Sequence, residues 1–120
     1  MSKNIIKEKT FKFAVRIIKL NIYLNQNNCD YSLSRQLLRS GTNPGAMIAE
    51  SKYAQSTADF INKLSIAQKE INETIYWLEL LHTTNYIPSN YYDNIIVDAI
   101  DILKIITKII ITSKKSITNN

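Results

Sequence analysis

A chain of 120 residues accommodates one domain, and a domain of that size buries a core without metal or disulfide staples. Two glycines, two prolines and 45% hydrophobic residues exclude a loop-rich or disordered chain, and the lone cysteine, Cys29, excludes an internal disulfide. The net charge of +5 hides an asymmetry: residues 1–39 hold eight basic and two acidic side chains, residues 40–103 three and eight, and residues 104–120 four and none.

Lys7, Glu8 and Lys9 interrupt the first segment before any long apolar run, unlike a signal peptide. The most apolar stretch, residues 105–111, contains Lys108 and is far too short to span a bilayer. The expectation is a soluble, cytoplasmic chain with no membrane partner.

In chain order, residues 4–25 carry Phe11, Ala14, Val15, Ile18 and Ile22 at the three-and-four spacing of one helix face. Asn25, Asn27, Asn28 and Asp30 supply turn chemistry. A second helix over residues 32–53, capped by Asp30 or Ser32, runs through Leu33, Leu37, Met47 and Ile48. It contains Gly41-Thr42-Asn43-Pro44-Gly45, where an interior proline costs about 3 kcal/mol. A kinked continuous helix or two short ones would both satisfy this stretch, with the kink preferred. A third helix, residues 57–85, opens on Ser56 with Asp59 three positions on, a capping-box pattern in which Asp stands for Glu. Phe60, Leu64, Ala67, Ile71, Ile75, Leu78 and Leu81 then keep a near-heptad spacing.

Pro88-Ser89-Asn90 opens a fourth helix, residues 89–115. Its stripe is Ile96, Ala99, Leu103, Ile106 and Ile110, with Ile95, Ile102 and Ile109 beside it; Asp98, Asp101, Lys104 and Lys108 mark a narrow wet strip. That width predicts a second buried surface against other copies of the chain. A central helix within one monomer is the alternative. No stretch alternates with period two. Long helices joined by short connections predict an all-α, up-down-up-down antiparallel four-helix bundle.

The chemistry-bearing residues are few. One histidine and one cysteine exclude the usual zinc and di-iron ligand sets, so no metal or cofactor is expected. Glu70 and Glu73 share a face, but no histidine follows at metal-binding spacing; ion pairs with a neighbouring helix are their expected use. Cys29 has no helper base nearby, and His82 lacks the arginine four to six residues before it that helical toxin ribonucleases carry. The glycine segment lacks the Lys-Ser/Thr of a phosphate loop. No enzyme is expected.

Two cross-helix pairs follow from the turn near Gln55. Arg39 falls level with Glu70 and Glu73, and Glu50 falls level with Lys63. The same topology brings the start of the first helix and the end of the fourth to one pole. Lys3, Lys7, Lys9 and Lys12 would there meet Lys104, Lys108, Lys114 and Lys115, opposed only by Glu8, with Arg16 and Lys19 continuing the strip. Lysines without interleaved aromatics suit phosphate contacts rather than base reading. A merely solubilising pole is the competing reading.

QLLRSGTNPGAMIAES, residues 36–51, and DFINKLSIAQKEINETIYWLELL, residues 59–81, resemble the signature of the four-helix-bundle proteins encoded in intervening sequences of bacterial 23S ribosomal RNA genes. The matching positions are Gln36, Arg39, Ser40, Gly41, Thr42, Gly45, Ala49, Glu50, Asp59, Lys63, Glu70, Glu73 and Trp77. The chain departs from the family's usual Ser-Ile at Asn43-Pro44, and from its Asn at Met47, which has no side-chain amide. The resemblance implies a ring-like homo-oligomer, typically a homopentamer. It also implies kinship with the accessory protein of diversity-generating retroelements, a basic ring that binds a reverse transcriptase and nucleic acid. The expected function is a non-enzymatic oligomeric bundle that binds RNA, DNA or a ribonucleoprotein partner through its basic pole. A protein-only scaffold is the alternative.

Overall fold

Four helices organise the computed structural model, which describes the backbone of residues 2–118 and the side chains of residues 5–117. They are α1 (Ser2–Gln26), α2 (Tyr31–Ser51), α3 (Thr57–Thr83) and α4 (Ser89–Thr118), with no strand among the described residues. Each helix packs on the next in sequence, and α1 closes the bundle against α4, giving a rod of 53 × 22 × 20 Å.

Short polar residues set the helix ends. Asp30 caps α2: its Oδ1 accepts from the Ser32 N–H at 2.9 Å, from the Leu33 N–H at 3.4 Å and from the Ser32 hydroxyl. These donors, the hydroxyl foremost, hold the carboxyl below its ordinary range. Ser56 caps α3, accepting from the Asp59 N–H at 3.0 Å. The Asp59 carboxylate reaches back to the N–H of Gln55, one residue before the cap. Asn28 and Asn85 adopt left-handed conformations, φ 60° and 70°, just after α1 and α3. There the N–H groups of Cys29 and Tyr86 bond back to the carbonyls of Leu24 and Leu81, closing each helix in a Schellman-type turn.

α2 runs unbroken through Pro44, so the two-helix alternative is excluded. The ring removes the donor for the Ser40 carbonyl, yet Pro44 is buried and the surrounding packing holds the helix together. The glycines on either side explain why this stretch is small. A Cβ on Gly41 would lie 2.7–2.9 Å from three side-chain carbons of Ile17, and one on Gly45 would lie 3.3 Å from the Thr10 carbonyl oxygen. Both glycines let α1 and α2 approach closely.

The core corrects the face expected for α1. Ile6, Phe13, Ile17, Leu20 and Leu24 are buried, whereas Phe11, Val15, Ile18 and Ile22 are exposed, Phe11 by 69%. Both sets obey helical spacing, and periodicity does not say which one finds partners. In α4 the buried line is Ile95, Ala99, Ile102, Ile106 and Ile110, while Ile96 and Leu103 pack half-buried beside it. Leu37 and Ile48 of α2 and Leu64, Ala67, Ile71, Leu78 and Leu81 of α3 complete the core. Each large aliphatic among these contributes roughly 1.5–3 kcal/mol by leaving water.

Candidate nucleic-acid interface

The alternating directions of the helices bring the start of α1, the end of α2, the start of α3 and the end of α4 to one pole. Not every lysine expected there is available. Lys9 Nζ lies 2.8 Å from Asp101, Lys12 Nζ lies 2.9 Å from Glu8, and Arg16 Nη1 lies 2.7 Å from Asp98. Arg16 also donates to Asn94 at 2.8 Å and sits 5.5 Å from the Tyr91 ring centroid. The hydrogen bond and charge of Asp101 raise the pKa of Lys9. Glu8 is therefore not the sole acidic neighbour. Asp98 and Asp101, three apart on α4, turn toward α1 and neutralise its basic face, tying the α1–α4 seam.

The remaining cations divide by position. Lys7, Lys104, Lys108 and Lys115 are exposed and make no ion pair among the described residues. Lys114 lies exposed beside Lys115, the Lys3 side chain lies outside the described residues, and Arg16 and Lys19 sit further along α1, away from the pole. Lys52, on the turn after α2, belongs to the pole and was not among the expected residues. The up-down topology itself could have placed it there.

A groove of about 810 Å³ opens at this pole between the α2–α3 turn and the last turns of α4. Its apolar lining comes from Ile5, Phe60, Ile105 and Ile109, and its cations are Lys52 and Lys108. Serine and threonine hydroxyls make up most of the remainder, and no carboxylate lines it.

Of the cross-helix pairs, Lys63 Nζ lies 3.8 Å from Glu50 and 4.0 Å from Asp59. The Arg39 pairing is not formed. Asn43, one turn further along α2, donates its amide to Glu70 at 3.1 Å, and Glu73 turns along its own helix to accept from the Trp77 indole at 3.4 Å. Arg39 remains exposed, with no carboxylate partner among the described residues. A short neutral amide, not a guanidinium, meets Glu70 in this part-buried seam, which spares a guanidinium its desolvation. Asn43→Ala should therefore cost about 1.5–3 kcal/mol, since it strands a partly buried carboxylate, while Arg39→Ala should stay within about 0.5 kcal/mol. Urea melts of the two variants check this; equal losses would contradict the assignment.

Cys29 and His82 both make local packing and polar contacts. The thiol is buried, and burial, then the Asp30 charge, pushes its pKa up, opposite to what a nucleophile requires. His82 stacks on Tyr92, centroids 4.1 Å apart, and its Nε2 lies 3.0 Å from the Ser89 hydroxyl, joining the end of α3 to the start of α4. Among the described residues no group of three or more His, Cys, Asp or Glu could hold a metal ion, and no helix is long and apolar enough to cross a membrane.

Two apolar stripes remain uncovered. On α1, Phe11 and Ala14 line a second groove, of about 600 Å³, with Gly45, Ala46 and Ala49 of α2 and with the charged Lys7, Glu8 and Lys12, and Val15, Ile18 and Ile22 extend its apolar side. On α4, Val97, Ile100 and Ile111 are exposed. The ion-paired α1–α4 seam separates the two stripes.

A family model described as 23S rRNA-intervening sequence protein matches residues 2–108. Among solved structures, a protein of unknown function from the S23 ribosomal protein family of Bacteroides thetaiotaomicron is 50% identical, with a TM-score of 0.88 over 92% of this chain and 98% of that one. No curated protein matches the chain. This four-helix chain belongs to the 23S rRNA-intervening sequence protein family.

Proposed function

We propose that the chain is a non-enzymatic, oligomeric bundle that binds RNA or a ribonucleoprotein through its basic pole. One observation carries the reading. Cations along the α1–α4 seam are matched by carboxylates, whereas Lys52, Lys104, Lys108 and Lys115 are exposed without an ion pair among the described residues. Lys19 and Lys69 are also exposed without an ion pair elsewhere, but they stand singly; lysines gathered at one end favour phosphate, and the affinity they give is sequence-independent and salt-sensitive. The two separated apolar stripes support assembly. Distinct patches on one subunit form a heterologous contact, α4 of one copy on α1 and α2 of the next, which builds a ring when the rotation between copies closes and an open filament when it does not. The family resemblance favours five subunits, and each copy would add its pole to the combined field.

The uncovered Phe11 stripe also favours a second reading, a scaffold whose partners are only proteins. Affinity for an unrelated RNA across a salt series separates the two. Nucleic-acid binding predicts a steep linear fall of log affinity with log salt, by about 0.7–0.9 for each phosphate neutralised. Changing Lys104, Lys108, Lys114 and Lys115 to glutamate should abolish binding while leaving the helical melt intact. Undetectable binding of the unaltered chain at low salt, or equal binding by the charge-reversed one, would remove nucleic acid from the function.

A further inference from the structure

We infer that the polar groove between the α2–α3 turn and the end of α4 receives a single-stranded segment of nucleic acid, base against its apolar floor and phosphate against its lysines. This rests on the nucleic-acid reading of the pole and narrows it from any phosphate backbone to an unpaired strand.

Three features of the groove point the same way. The first is charge: in a chain with ten acidic residues, no carboxylate lines it, while Lys52 from the α2–α3 turn and Lys108 from α4 both do. Neither lysine makes an ion pair among the described residues. The nearby acids are engaged elsewhere, Glu50 with Lys63 and Asp59 with Lys63 and the Gln55 N–H. An anionic ligand therefore meets no local repulsion.

The second feature is the mixed lining. Phe60 and the isoleucines offer an apolar floor, framed by hydroxyls. Lysines alone would serve a duplex, whose bases are stacked away inside. Phe60, Ile105 and Ile109 pack partly against the core, and the surface they leave open suits a ligand that presents an apolar face beside its charge, as an unstacked nucleotide does. The hydroxyls suit sugar and phosphate oxygens.

The third feature is size and place. About 810 Å³ lies within the range of small-ligand pockets, enough for one or two nucleotides and too small for a duplex. Lys114 and Lys115 lie at the same end of α4, where a strand leaving the groove would pass.

The test measures fluorescence anisotropy of a labelled oligouridylate and of an RNA duplex of equal length, at one low salt concentration. It uses the full chain and two variants that each change the charge by one unit. Thr112→Glu puts a carboxylate into the groove from an exposed position, and Lys115→Gln removes a cation at the same pole outside it. The single strand should bind the unaltered chain at least tenfold more tightly than the duplex. Thr112→Glu should erase that preference by weakening the single strand tenfold or more, whereas Lys115→Gln should weaken both ligands equally and less than threefold. A helical melt confirms that each variant is folded. Equal binding of the two ligands, or equal effects of the two variants on the single strand, would overturn the groove while leaving the pole as a phosphate surface. Binding of neither ligand would overturn both.

Discussion

Gly41→Leu should destabilise the bundle by about 3 kcal/mol, the upper end of what overpacking costs, and most of that loss should be recovered when Ile17 is changed to alanine. A Cβ at position 41 already falls within 2.7–2.9 Å of Cγ1, Cγ2 and Cδ1 of Ile17, and Ile17 is fully buried, so it cannot swing into solvent. The clash is at Cβ itself, whose place the backbone fixes, so no rotamer at position 41 relieves it. The helix itself would gain roughly 1 kcal/mol from losing a glycine, so any net loss measures the clash between α1 and α2. Ile17→Ala alone should cost about 2–5 kcal/mol through its cavity. The double variant should be more stable than the sum of the two single changes predicts, because the leucine side chain enters that cavity. Denaturant melts of the four proteins give the coupling. Additive losses would mean that Gly41 is required for something other than its closeness to Ile17.

The same residues show what the sequence makes legible. Gly41 and Gly45 stand out in α2 as breakers, and local propensity reads them as punctuation. Their use lies in a contact with α1, information carried by residues more than twenty positions away. The number of helices and their caps are legible because caps are local: Asp30 and Ser56 bond to N–H groups two or three residues on. Which face of α1 is buried is not local. Phe11-Val15-Ile18-Ile22 and Phe13-Ile17-Leu20-Leu24 have the same period, and only the placement of α2 and α4 separates them.

The pole has the same limit. Topology gathers the lysines, but the register across the α1–α4 seam decides that Asp98 and Asp101 meet Arg16 and Lys9 rather than water. The level of Glu70 against α2 was readable from the turn, and the choice of Asn43 over Arg39 was not. That choice depends on how deep the seam is, which the spacing of residues does not encode.

Assembly gives the last prediction, and it tests the geometry of the contact as well as its existence. At micromolar concentration the unaltered chain should elute as a single multimer by light scattering. Phe11→Glu on the α1 stripe, or Val97→Glu on the α4 stripe, should each give a helical monomer, since both side chains are exposed in the isolated subunit and neither supports its core. An unpaired carboxylate buried in a contact costs several kcal/mol, and each 1.4 kcal/mol is tenfold in affinity. Dissociation constants should therefore rise at least a hundredfold. Mixing the two variants is the sharper step. If α4 of one copy docks on α1 and α2 of the next, the Phe11→Glu chain keeps a sound α4 stripe and the Val97→Glu chain keeps a sound α1 stripe. Together they make one intact interface and stop at a heterodimer, since their other two stripes are both charged. A two-fold contact of α1 on α1 gives no such rescue, because every pairing then contains the altered residue or leaves Val97 irrelevant. A monomeric unaltered chain would remove assembly from the proposal; a multimer that survives both changes would place the contact on another face.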